Sequence, residues 1–265
     1  TYVWAVAGGV FSGASSGTSV NVIWNTAGVG TLGVTETTSA GCSGSTQRSV
    51  TVNPTPQPVV VGVTTVCAGT SQTYNLQQQN AGSAYNWAVT GGAVQGGTTG
   101  TSVTVLWNTA GAGTVSVTET ALGCSGTSAV KNVTINAVPT PSMTSSTNGL
   151  ATVGVCAGTT HTYSTQNNIG STYTWTVTGG VIQSGGTSAT MQVLWNGTTS
   201  GTIKVRETNA ANCSTETSVI TVPINPVPTP SITGTAGVCV GATGTYSTAF
   251  TAGRTYNWTV TQNGS

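Results

Sequence analysis

Charge is nearly missing from this sequence. Its 265 residues include five Lys and Arg, four Glu, one His and no Asp, for a net charge of +1. Without Asp, a calcium site built from several carboxylates is excluded, and a Ser-His-Asp triad has no acid to orient its base. A net charge of +1 does not offset a phosphate backbone, which excludes nucleic acid as a partner. No basic amphipathic stretch suits a membrane surface. No run approaches the ~20 apolar residues of a membrane-spanning helix, so membrane insertion is not expected. The opening residues Thr1-Tyr2-Val3-Trp4 carry neither a basic nor an apolar leader pattern. No segment has helical periodicity or helix caps.

What is present is repetition. Trp4, Trp87, Trp175 and Trp258 are spaced by 83, 88 and 83 residues, and Trp24, Trp107 and Trp195 by 83 and 88. Cys42, Cys124 and Cys213 keep the same rhythm, as do Cys67, Cys156 and Cys239. Pro54-Thr-Pro56, Pro139-Thr-Pro141 and Pro228-Thr-Pro230 punctuate the units, because proline fixes φ and removes an N–H, making short stiff connectors. These divide the chain into 1–56, a partial domain lacking its first strands; 57–139 and 140–228, complete domains; and 229–265, a partial domain lacking its later strands.

Within a unit, short alternating runs lie between Gly-rich turns, as in Ala84–Thr90, where Tyr85, Trp87 and Val89 share one face. Period-two alternation over such lengths is strand. Several strands in about 85 residues, with turns every 8–12, predict an all-β fold: a tandem array of antiparallel immunoglobulin-like β-sandwiches forming an elongated rod. Trp4, Trp87, Trp175 and Trp258 on the apolar strand face, with Trp107 and Trp195 at a strand end, are the expected core.

The units share a Val-Cys-Ala-Gly turn, a Tyr-x-Trp-x-Val strand ending in Gly-Gly, a Val-x-Trp-Asn strand end, a Val-Thr-Glu-Thr strand and then Gly-Cys-Ser. In this order the motifs resemble the PKD-like immunoglobulin-like repeats of giant secreted and surface proteins of Bacteroidota, over essentially the whole chain. The resemblance implies an adhesin of the type exported by type IX secretion and used in attachment or gliding. One departure is that the acidic residues common after the Trp strand in other family members are missing at 88–92 and 176–180.

Six cysteines at repeating positions suit an oxidising compartment outside the cytoplasm. In a sandwich, Cys67 falls at the turn joining the first two strands and Cys124 in the last hairpin, at the opposite pole. Seven residues of strand put the poles about 23 Å apart, whereas disulfide Cα atoms lie about 4.4–6.8 Å apart. The preferred pairing is therefore between domains, Cys67 with Cys213. Cys42, Cys124, Cys156 and Cys239 then pair outside this stretch of sequence or remain unpaired. The intradomain alternative, Cys67–Cys124 with Cys156–Cys213, stays open. Zinc is not expected, because no C-x-x-C pair with a nearby His completes a shell.

Glu36, Glu119 and Glu207 are one position repeated, a strand-end carboxylate accepting backbone hydrogen bonds, and not an acid/base pair. His161, replaced by Gln72 and Gly244 in other units, is not a recurring base. The expected function is structural: the stalk or filament region of a large adhesin on the outer surface of a Gram-negative bacterium, without catalysis, cofactor or metal. Its partners are neighbouring repeats of the same polypeptide and neighbouring filament subunits. The alternative is a glycan- or protein-binding module acting through pole loops such as Gln77–Ser83.

Overall fold

The structure, a computed structural model, describes residues 1–145 and 154–261. Strands and turns make up the described residues; no helix occurs among them. Two units form, Thr1–Pro139 together with the loop Asn209–Ser214, and Thr140–Thr208 with Thr215–Ser265.

The complete sandwich of the first unit has two sheets. In one, Ala93–Gln95, Ser102–Trp107, Thr70–Leu76 and Val60–Val61 pair in that order. In the other, Gly111–Ala121 is central. Ala84–Thr90 lies along one of its edges, and Cys124–Thr127 with Lys131–Asn136 along the other. The first strand divides between the sheets: Val60–Val61 runs antiparallel to Thr70–Leu76, and Thr65–Cys67 runs parallel to Lys131–Asn136. This is an immunoglobulin-type arrangement. The parallel pair puts Cys67 opposite Asn136, at the end of the sandwich where its last strand finishes.

Alternation decides which side chains meet between the sheets. Tyr85 and Trp87 are buried while Asn86, Ala88 and Thr90 are exposed. With Tyr74, Trp107, Val115 and Val133 they belong to one closed apolar cluster. Tyr74 meets the Trp107 ring edge-on, centroids 6.1 Å apart, a favoured aromatic geometry. Gly113 is required beneath that ring, since an added Cβ would overlap it and the Thr90 carbonyl. The last hairpin turns on Leu122 and Gly123, both with positive φ (50° and 79°), the tight two-residue connection that matches strand twist.

The preceding part of this unit repeats only the later strands. Tyr2–Ala7, Gly28–Thr37 and Ser43–Val52 form a three-stranded antiparallel sheet, and Gly9–Phe11 pairs with Val22–Trp24.

The second unit contains the same sandwich, with Thr144–Ser145, Thr159–Ser164, Thr190–Trp195 and Gly180–Ser184 in one sheet. Thr172–Thr178, Ser200–Thr208 and Ile220–Asn225 make the other, joined by Val155–Cys156 in parallel. Its core has Met191, Ile203 and Val205 where the first has Val103, Val115 and Val117. Beyond it, Thr233–Gly234 pairs with Tyr246–Ser247.

Candidate functional site

The chemically distinctive groups are the cysteines, and two local structures position them. The Val-Cys-Ala-Gly turn is pinned at three points. Ala68 N donates to Asn136 O (2.8 Å), Gly69 N to Trp107 O (2.6 Å), and Thr70 Oγ1 to Cys67 O (2.6 Å). The same three bonds recur at Ala157, Gly158 and Thr159 around Cys156. The motif thus holds a sulfur at one pole of each sandwich, with the backbone fixed by both sheets.

The second structure is the loop Asn209–Ser214. Asn209 Oδ1 accepts from Ala211 N and Cys213 N, both at 3.0 Å, and its Nδ2 donates to Ala137 O at 2.8 Å. Asn212 closes the turn with φ 60°. Cys213 is buried, and its sulfur is bonded to that of Cys67, Cα atoms 5.6 Å apart across 146 residues of sequence. The alternative pairs Cys67–Cys124 and Cys156–Cys213 are not formed. Cys42, Cys156 and Cys239 are exposed free thiols, and Cys124 is a half-buried one, its sulfur 3.8 Å from Asn53 O.

The tryptophans fall into two groups. Trp87, Trp107, Trp175 and Trp195 are buried. Trp87 Nε1 donates to Gly100 O, Trp175 Nε1 to Ser188 O and Trp195 Nε1 to Tyr163 OH, so these three indoles enter the core with their polar atom satisfied, whereas Trp107 Nε1 is buried without a hydrogen-bond partner. The core assignment is corrected for Trp4 and Trp258. Trp4 is only half-buried, although its Nε1 bond to Gly17 O repeats that of Trp87. Trp258 is 53% exposed and lies in no strand. Burial of the indole needs the opposing sheet, and each of these segments has only part of a sandwich.

The glutamates need a correction too. Glu119 Oε1 accepts from Asn80 Nδ2 (2.9 Å) and Tyr85 OH (3.2 Å), and Glu207 Oε1 from Asn168 Nδ2 (2.8 Å) and Ser171 Oγ (2.7 Å). Glu36 accepts from Tyr2 OH at 3.0 Å. The donors are side chains and not backbone, because the backbone of these strands is already taken up by the ladder, Glu119 opposite Tyr85 and Glu207 opposite Tyr173. Glu119 and Glu207 are buried. Burial pushes the Glu119 carboxyl up, but hydrogen bonds, those from Asn80 and Tyr85 among them, outweigh it and hold the group below its usual value. Tyr85 and Tyr173 also order the adjoining loop, accepting from Asn80 N and Asn168 N at 2.8 Å. These loop asparagines and Asn209 escaped the sequence reading. The available signal was an Asn five residues before the Tyr of the Tyr-x-Trp motif in both complete sandwiches, Asn80 and Asn168.

No group of three or more His, Cys, Asp or Glu close enough to hold a metal occurs among the described residues. His161 Nε2 lies 2.9 Å from Thr159 Oγ1, in a surface contact. The site therefore offers thiol–disulfide chemistry and buried structural carboxylates.

The PKD-like domain family matches at residues 53–135 and 140–223. No curated protein matches the chain. Among solved structures, fibronectin(III)-like modules of Clostridium thermocellum CbhA are similar at 11% identity over 63% of this chain and 95% of theirs, with a TM-score of 0.32. A C-terminal fragment of intimin is similar at 14% over 68% and 67%, TM-score 0.38. An ice-binding, Ca2+-stabilised adhesin of an Antarctic bacterium is similar at 16% over 79% and 60%, TM-score 0.36.

Proposed function

This chain belongs to the PKD-like domain family, and on that premise we propose that it is a load-bearing stalk segment of an extracellular adhesin. The observation that carries this reading is the disulfide between Cys67 and Cys213. Cys67 precedes nearly all of one sandwich core, from Thr70 to Asn136, and Cys213 follows most of the next, from Val155 to Thr208. Tension applied along the chain passes from residue 67 to residue 213 through the S–S bond. Most of both cores lies inside the covalent loop and is bypassed by the pull, while Val60–Cys67 of the first and Ile220–Asn225 of the second lie on the loaded path.

The reading places the protein outside the cell, where an oxidising milieu preserves such a bond. An almost uncharged Thr, Ser and Gly surface makes its packing insensitive to salt. The resemblance to Bacteroidota repeats extends the proposal to the outer surface of a Gram-negative cell and to type IX export. Neighbouring repeats are the proposed partners, and the remaining turn and hairpin cysteines are proposed to bridge to equivalent repeats in the same manner.

Single-molecule pulling from residues 1 and 265 tests the load path. Under oxidising conditions the 146 residues of the loop stay short, and reductant releases about 500 Å of additional extension at ~3.4 Å per residue. Release of that full length without reductant would refute the clamp. Surface labelling of intact cells that fails to reach the chain would refute display outside the cell.

A further inference from the structure

The disulfide offers its two ends to solvent unequally. Cys213 is 1% exposed, whereas Cys67 at the other end of the bond is half-buried. The loop that carries Cys213 closes on itself. Asn209 N donates to Cys213 O and Asn212 N to Asn209 O, both at 2.9 Å, while Asn209 Oδ1 accepts from Ala211 N and Cys213 N. The Cys213 sulfur lies 3.8 Å from the Ala211 carbonyl of the same loop. The turn that carries Cys67 opens outward instead: its duplicate around Cys156, held by the same three hydrogen bonds, leaves that cysteine exposed.

In thiol–disulfide exchange a thiolate attacks one sulfur while the other leaves, and access helps to select which is attacked. Leaving-group chemistry alone favours attack on Cys213, because a buried thiolate is the poorer leaving group. A cysteine with 1% exposure admits no external thiolate, however, so access decides. We propose that Cys67 is the site at which a small thiol such as glutathione enters this bond. The thiolate bonds to the Cys67 sulfur, the Cys67–Cys213 bond breaks, and its electron pair leaves on Cys213, which takes up a proton. Cys67 then carries the small thiol as a mixed disulfide. A second small thiolate removes the first as the small disulfide, so two thiols are oxidised for the two cysteines reduced.

The opening is reversible, because each cysteine is also held by hydrogen bonds independent of the S–S bond. Ala68 N, next to Cys67, donates to Asn136 O, and Asn209 Nδ2 donates to Ala137 O. Two successive carbonyls at the end of the strand Lys131–Asn136 thus hold both sulfur-bearing segments. The freed Cys213 thiol stays beside the mixed disulfide on Cys67 and displaces the small thiol when that thiol is scarce, restoring the bond.

This inference concerns the same bond as the stalk reading but requires no load, so its test applies no force and its failure leaves the pulling experiment untouched. The free thiols of the full chain are first blocked with iodoacetamide. The folded chain is then incubated with reduced glutathione, quenched with N-ethylmaleimide at mildly acid pH and mapped as peptides. Glutathione on Cys67 and maleimide on Cys213 are expected, with no glutathione on Cys213. The same treatment in denaturant should spread glutathione over both. Glutathione on Cys213 of the folded chain, a bond that opens without an adduct on Cys67, or a bond that opens only in denaturant would overturn the proposal. As a second measurement, the glutathione is diluted and its loss from Cys67 is followed. Asn209→Ala, which unties the loop from Ala137 and lies outside both cores, should slow that loss several-fold. Re-closure as fast as in the wild type would overturn the return step.

Discussion

Residues 2–52 and residues 84–136 are equivalent stretches of the repeat folded twice, once without and once with the early strands opposite. The ladders are alike: Tyr2 lies opposite Glu36 as Tyr85 lies opposite Glu119. The indole bond at a spacing of 13 residues is present in both, from Trp4 to Gly17 and from Trp87 to Gly100. Burial differs. Trp107 and Val115 are fully enclosed, while Trp24 and Leu32 are not. Backbone pairing in this repeat is therefore a local property of the later strands, and the closed core comes from the early ones, Val60–Val61 and Thr70–Leu76.

The largest expected difference between the two regions comes from the tryptophan at the strand end. Trp107→Ala removes a fully buried indole and should cost about 3–5 kcal/mol. Trp24→Ala removes a half-exposed one and should cost less than half as much. Hydrogen exchange of the strands Ser102–Trp107 and Val22–Trp24 reads both in one experiment. Equal losses would mean that the open segment is closed by something in solution. The disulfide comes next: Cys67→Ser should lower stability by about 2–4 kcal/mol, since it frees a loop of 146 residues in the unfolded chain. Calorimetry should place that loss in the sandwiches enclosed by the loop, with residues 1–52 unaffected.

How much of this was legible in the sequence follows from the same contrast. Strand positions were legible, because alternation and turn glycines are local, and Ala84–Thr90 has the exposure pattern its side chains dictate. The exposure of Trp258 and the half-burial of Trp4 were not, because each stands in the same Tyr-x-Trp-x-Val pattern as its buried counterpart and the cover of an indole comes from strands distant in sequence. For the cysteines, strand length separates Cys67 from Cys124, and the bond in the structure runs from Cys67 to Cys213. The parallel pairing of Thr65–Cys67 with Lys131–Asn136 is what puts the turn at that pole. The donors to Glu119 and Glu207 lie in aperiodic loops, whose paths no hydrophobic pattern encodes.

A glycine pair sharpens the comparison at smaller cost. An added Cβ at Gly113 overlaps the Trp107 ring, and one at Gly30 overlaps the Trp24 ring. Trp107 is packed on every side and cannot yield, so Gly113→Ala should destabilise by about 1–3 kcal/mol through overpacking. Trp24 has open space beside it, and Gly30→Ala should be absorbed by a shift of the ring. Chemical denaturation of Gly113→Ala, and protection of the strand Gly28–Thr37 in Gly30→Ala, measure the two.

The smallest effect belongs to the carboxylate, and it carries a pH signature. Glu119 is buried, with its ionised form favoured by the hydrogen bonds of Asn80 and Tyr85 over the opposing effect of burial, so its carboxyl titrates below the usual 4.5. A group with a depressed folded value binds fewer protons than the unfolded chain, so stability rises with pH through that range. Its contribution is complete above the unfolded value and is lost as pH falls through the folded one. Glu119→Gln should cost about 1 kcal/mol at neutral pH, the scale of a hydrogen bond to a charged group weakened to a neutral one. The variant should also lose that part of the acid dependence. Glu36 makes its bond to Tyr2 at the surface, where water replaces either partner, so Glu36→Gln should change neutral stability by less than about 0.5 kcal/mol. Denaturation at neutral and acid pH separates the two. An acid dependence of the wild type that persists undiminished in Glu119→Gln would assign it to other carboxylates.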